Sequence, residues 1–260
     1  MPILRRLRRR KALRTPFPEE WRSIVRARLA HWHHLGPEER ARLEDLIRIF
    51  LAEHEFEAAG GMKMSDDVRV TIAAQACLLL LGREGDGYRD VSSIIVYPST
   101  VVRTGVFASP VLAGAVTDAP VPLLGEARPR GPVVIVWDRA LAQARHPGRG
   151  HNVVFHEFAH KIDMADGSVD GTPRITDPAA YRRWVEVCTK ELDHVRRASV
   201  RGEPTLLRGY AGTNPAEFFA VATEVFFDRP AAMEQERPEL YEVLREFYRQ
   251  DPAARAHRAG

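Results

Sequence analysis

Two histidines four residues apart, with a glutamate after the first, set the tightest condition on how this chain can fold: His156-Glu157-Phe158-Ala159-His160. Four residues of helix rise about 6 Å and return to nearly the same face, so both imidazoles can converge on one ion only if this stretch is helical. Glu157, beside the first histidine, can reach a water on that ion without taking a coordination position, which makes it the candidate general base. Val153, Val154, Phe158 and Ile162 give the motif an apolar face, as a buried helix requires. A solvated surface run of His and Glu would not carry one.

A tetrahedral zinc site that stays open to water needs a third protein donor. Residues 161–166 lack the glycine and third histidine of an HExxHxxGxxH arrangement. Asp166 stands at the right spacing, but no glycine at 163 turns the chain inward. Downstream, Asn214-Pro215-Ala216-Glu217 opens a helical pattern in which Glu217 and Glu224 lie two turns apart on one face of an otherwise apolar run. Buried carboxylates need partners. One account makes one glutamate a metal ligand and the other an acceptor behind a ligand imidazole. The other leaves Glu217 at a helix start, stabilised by the dipole, and pairs the acids with arginines. Asp163, one turn beyond His160, has the same two readings: acceptor of that ring's second proton, or a surface acid near a helix end. Two imidazoles suit zinc, whereas magnesium and calcium favour oxygen cages. His31, His33 and His34 point in different directions on a helix and read as a solvated face.

With 260 residues, 45% of them hydrophobic, the chain has ample material for a core. Its charge is uneven: Arg5, Arg6, Arg8, Arg9, Arg10, Lys11 and Arg14 precede Thr15 with no acid among them, while the rest of the chain carries more acids than bases. Residues 1–16 are therefore expected as a basic, flexible tail before a single catalytic domain over 17–260. A solvated terminus is the simplest reading of that tail, so direct nucleic-acid binding is not expected. Cys77 and Cys188 are too few for a disulfide framework or a cysteine-rich zinc site, which points to a reducing, cytoplasmic setting. Arg and Lys interrupt every apolar run near the N-terminus, unlike a signal peptide. The longest apolar run, 76–81, falls far short of the roughly 20 residues a membrane span needs.

Periodicity predicts helices over 17–34 and 37–52, and an almost wholly apolar, hence buried, helix over 68–81. Strands are expected at 93–97 and 132–137, with a short hairpin within 106–122, where Pro110, Pro120 and Pro122 exclude a central strand. Residues 138–151 read as a polar connection. Helices follow at 152–163, 178–197, 215–227 and 238–248. This order predicts an α+β fold, mainly helical, with a small mixed β-sheet next to the HExxH helix.

Residues 70–80, 150–154, 156–163 and 210–227 together resemble the Mlc titration factor A family of bacterial zinc peptidases, and the likeness covers most of the chain from about Pro18. The resemblance implies a zincin-like fold whose third ligand is a glutamate, related in its site to the anthrax lethal factor catalytic domain. On matching positions it makes His156, His160 and Glu217 the zinc ligands and Glu157 the base. It places the Tyr210 phenol beside the metal, where a neutral hydroxyl can donate to an oxyanion. Without it, Tyr210 would read as a loop or core aromatic. The implied activity is aminopeptidase-like hydrolysis of small peptides with no covalent intermediate. A relative binds and inactivates the glucose-responsive repressor Mlc, so a transcriptional repressor of that type is an implied partner. The alternative is a regulatory repressor-binding protein whose zinc is structural or vestigial.

Overall fold

Helices come first in the chain: α1 (Pro2–Arg14), α2 (Glu19–Arg28) and α3 (Pro37–Glu53) precede a short strand, β1 (Glu55–Ala58), and α4 (Asp66–Leu78). The computed structural model describes residues 2–83, 88–99, 101–103, 107–108, 116–117, 121–123, 125–127 and 131–259, with side chains over 5–83, 88–99 and 131–257. The basic segment expected as a flexible tail is helical and lies along α3. Arg5 and Arg9 hold it there through the Glu53 carboxylate, at 2.9 and 2.7 Å.

The stretch read as one helix over 17–34 is two. Leu29 is buried with an extended backbone, which ends α2, and a 3-10 turn over Ala30–His34 follows. Turning Leu29 into the core outweighs continuing the helix. α4 meets the expectation of burial, because every residue from Val70 to Leu78 is buried. Ser65 caps it by accepting from the Val68 N–H, and Asp66 and Asp67 sit in its positive first turn.

The strands are β2 (Ser93–Tyr97), β3 (Val101–Arg103), β4 (Phe107–Ala108), β5 (Val116–Thr117), β6 (Val121–Leu123), β7 (Gly125–Ala127) and β8 (Val133–Val136). One mixed sheet runs β1-β2-β8-β7, with β1, β2 and β8 parallel and β7 antiparallel at the edge. Ile94 pairs with Val133 and Val96 with Ile135, all four fully buried. β1 carries Glu55 and Glu57, charges that an edge strand tolerates and that leave it without the apolar run of an interior strand. Among the described residues of the proline-rich stretch, β3 pairs with β6 and β4 with β5, each as an antiparallel two-stranded ladder; the rest of the hairpin expected within 106–122 lies outside the described residues.

Residues 138–151 are not a polar connection throughout: α5 (Trp137–Arg145) occupies the first part, burying Ala140 and Ala144 at helical spacing. The remaining helices are α6 (Val153–Asp163), α7 (Pro178–Arg201), α8 (Pro215–Asp228), α9 (Pro230–Glu236), α10 (Pro238–Tyr248) and α11 (Pro252–Ala259). α6 packs on β7 and β8 and against α8 and α4, so the histidine helix is central. Phe158 meets Tyr88 and Phe50, at ring separations of 4.7 and 5.6 Å, and Phe155 meets Phe227 at 5.5 Å. One contiguous apolar core runs from Phe17 to Ala253. Among the described residues, no helix is long and apolar enough to cross a membrane.

Gly171 ties three helices together. Its N–H donates to Asp163 at the end of α6, its carbonyl accepts from the Trp184 indole of α7, and its φ is +73°. A Cβ there would lie 2.1 Å from the Pro215 carbonyl oxygen at the start of α8. Gly171→Ala is expected to cost roughly 2–4 kcal/mol in urea unfolding, from left-handed strain plus overpacking against backbone. At the far end of α8, burial pushes the Asp228 carboxyl up to about 6, against the pull of His31 Nε2 3.1 Å away. The folded protein therefore holds this proton more tightly than the unfolded chain does. The stability Asp228 contributes is complete below about pH 4 and is lost as pH rises through about 6. Urea melts of Asp228→Asn should lack a loss of about 2–3 kcal/mol that the unsubstituted protein shows over that interval.

Candidate metal centre

Capping decides where the side chains of this site can point. Asn152 starts α6 by accepting from the Phe155 N–H at 3.0 Å, and Gln143 of α5 accepts from Val153 N–H at 2.8 Å. Asn214 starts α8 by accepting the Glu217 N–H at 2.9 Å. The cap of α8 is thus filled by Asn214 and not by the carboxylate of Glu217. The Glu217 carboxylate turns instead to the two histidines of α6.

His156 Nε2 and His160 Nε2 lie 3.2 Å apart, and Glu217 Oε2 stands 3.0 Å from the first and 3.5 Å from the second. A tetrahedral ion with bonds of about 2.0–2.1 Å separates its donors by about 3.3 Å, so the three atoms fit one face of a zinc tetrahedron. Among the described residues, this trio is the only group of His, Cys, Asp and Glu donors close enough to hold an ion. Burial opposes charge on Glu217, but its hydrogen bonds to the facing imidazoles outweigh burial and hold the carboxyl below the usual carboxylate range. Burial likewise opposes a proton on His156, yet Glu217 and Glu224 raise that group to about 10. An ionised carboxylate set against two imidazole nitrogens suits a cation.

Glu224 lies behind His156, with Oε1 2.7 Å from Nδ1. It is only 1% exposed, yet it also accepts from Asn152 N–H at 2.7 Å and from both ends of the Arg208 guanidinium at 2.6 and 3.1 Å. A proton on His156 Nδ1 leaves the Nε2 lone pair facing the other donors. Burial would raise Glu224, but His156 and Arg208 hold it below its ordinary value, so it stays ionised.

Glu157 is buried on α6 between the two histidines in sequence. Tyr210 sits in a 3-10 turn over Gly209–Gly212, its ring centroid 6.1 Å from that of His156 and its residue 37% exposed. Burial and the Glu217 charge raise its hydroxyl well above the ordinary value, so the phenol keeps its proton. Asp163 is placed differently from the others. Its Oδ2 accepts from Gly171, while its Oδ1 and His160 Nδ1 are both buried without a hydrogen-bond partner among the described residues. The structure does not join Asp163 to the His160 ring. A cavity of about 540 Å³ opens beside the C-terminal half of α6, lined by Lys161, Ile162, Trp184 and Phe247 and by none of the three donors. No local pattern singles out Arg208 or Gln143, whose partners are 16 and 10 residues away.

Residues 4–249 match the family described as glucose-regulated metallo-peptidase M90. The chain is 33% identical over 246 residues to an uncharacterised protein of Synechocystis sp., covering 94% of this chain and 89% of that one. It is 30% identical over 228 residues to Mlc titration factor A of Serratia proteamaculans, covering 86% and 85%. It is 31% identical over 237 residues to Mlc titration factor A of Klebsiella pneumoniae, covering 87% and 85%.

Metal analysis after dialysis against zinc should find about one ion per chain, and none on His156→Ala or Glu217→Ala. Glu224→Gln should retain the site with zinc affinity about 10–100-fold weaker, because the imidazole loses its charged acceptor.

Proposed function

The chain belongs to the glucose-regulated metallo-peptidase M90 family, and on that premise we propose that it is a cytoplasmic, zinc-dependent peptidase whose Glu157 activates water against a peptide carbonyl. The observation that carries this reading is the 3.0, 3.2 and 3.5 Å donor triangle of His156, His160 and Glu217, with Glu157 on the same helix. Zinc bound there supplies a Lewis acid that brings the pKa of water down towards about 7 and polarises the carbonyl.

The protein's own groups supply the rest. The Glu157 carboxylate accepts the water proton as the new C–O bond forms, then delivers it to the departing amine nitrogen as the C–N bond breaks. The Tyr210 phenol, which holds its proton, donates a hydrogen bond to the oxyanion between those steps. Glu224 keeps the His156 ring in one tautomer, and Arg208 offsets the charge of that buried acid. The resemblance to the Mlc titration factor A family adds an aminopeptidase-like preference for small peptides.

A second reading draws on the relatives named Mlc titration factor A: the chain binds a transcriptional repressor of the Mlc type, its zinc serving structure alone. Glu157→Gln separates the two. On the peptidase reading it keeps zinc but lowers kcat on a peptide library by at least about 100-fold, whereas repressor binding would be untouched. Tyr210→Phe should lower kcat by about 10–1000-fold with little change in KM, because its hydrogen bond forms chiefly in the transition state. Wild-type turnover by Glu157→Gln would remove the mechanism.

A further inference from the structure

α1 is docked by one face and bare on the other. Arg5, Arg9 and Ala12, at positions i, i+4 and i+7, are its half-buried residues, and Arg5 and Arg9 close on Glu53, whose side chain is only 4% exposed. At 3.6 residues per turn, Leu7, Arg10, Lys11 and Arg14 form the opposite stripe. All four are exposed, with Arg6, Arg8 and Leu13 exposed on the flanks. Among the described residues, none of Arg6, Arg8, Arg10, Lys11 and Arg14 meets a carboxylate, although the rest of the chain is rich in acids. Leu7 is 55% and Leu13 40% exposed, two of the few large apolar side chains left in solvent.

We propose that the outer face of α1 binds an anionic lipid surface and lies flat on it. Five uncompensated cations on a single helix demand a partner with dense negative charge. Leu7 and Leu13 choose between the polyanions. A leucine at the centre of the basic stripe gains nothing against a sugar-phosphate backbone, whereas at a bilayer it enters the headgroup and acyl boundary while the cations stay among the phosphates. The salt bridges to Glu53 hold α1 alongside α3, running antiparallel to it, so the stripe is presented as a preformed ledge. This surface is independent of the metal centre, and the inference stands or falls apart from the peptidase reading.

Cosedimentation of the full chain with vesicles tests it. Vesicles of phosphatidylcholine mixed with phosphatidylglycerol should bind the protein, those of phosphatidylcholine alone should not, and raised salt should weaken the binding. Arg10→Gln/Lys11→Gln/Arg14→Gln should reduce partitioning by about 100-fold, each charge near the surface being worth roughly fivefold. These side chains face solvent, so the variant should keep the wild-type circular dichroism and zinc content. Leu7→Asn should also weaken binding while leaving its salt dependence as steep. Equal partitioning onto both vesicle types, or a triple variant that binds as well as wild type, would overturn the proposal. So would a mixed-sequence DNA duplex that binds more tightly than the anionic vesicles, which would assign the stripe to nucleic acid.

Discussion

A carboxylate with almost no access to water organises the centre of this molecule. Glu224 comes from α8, its donors from the start of α6 and from the loop that carries Arg208, so one buried charge ties three separate segments. An ionised acid in such a place is tolerated only when its lone pairs are filled, and four donors fill them here. Taking away one partner of a buried ion pair typically costs about 3–5 kcal/mol, because the charge left behind has nowhere to go. The arrangement thereby fixes the orientation of the His156 ring before any metal arrives.

The scaffold around that charge explains why the other donors meet it. α6 is wedged between the sheet on one side and α8 on the other, with Phe155 and Phe158 locked into aromatic clusters on its buried faces. A helix held so tightly cannot rotate to relieve the crowding of two imidazoles and a carboxylate within 3.0 to 3.5 Å of one another. Gly171 adds a second restraint, setting the start of α8 against the end of α6 through contacts that a side chain would prevent.

Charge is divided between the inside and the outside in a way that separates two kinds of electrostatics. At the centre, acids and imidazoles are desolvated and shift one another strongly. On α1, the cations sit in water, where only a partner of high charge density can draw them. Glu53 links the regimes by anchoring two arginines and leaving the rest exposed.

Much of the fold was legible in the sequence, for reasons of period and polarity. The spacing of His156 and His160 required a helix, the apolar run around Ile72 required burial, and the Ile94 and Val133 segments required interior strands; all are found so. What escaped were elements whose local pattern is weak: β1, with its edge glutamates, α5 in a stretch that looks polar, and the break at Leu29. Local periodicity is blind to gains made by contact with distant chain, and those three depend on such contact. The same divide runs through the site. The sequence by itself determined the two imidazoles and the neighbouring glutamate, because their relation is the geometry of a single helical turn. It left Glu217 and Glu224 with two readings each. Only the tertiary structure told the two apart: Asn214 takes the cap and Glu217 faces both imidazoles, while Glu224 meets both readings at once, accepting from His156 and pairing with Arg208, since the surroundings of a carboxylate are decided by what the rest of the chain packs around it.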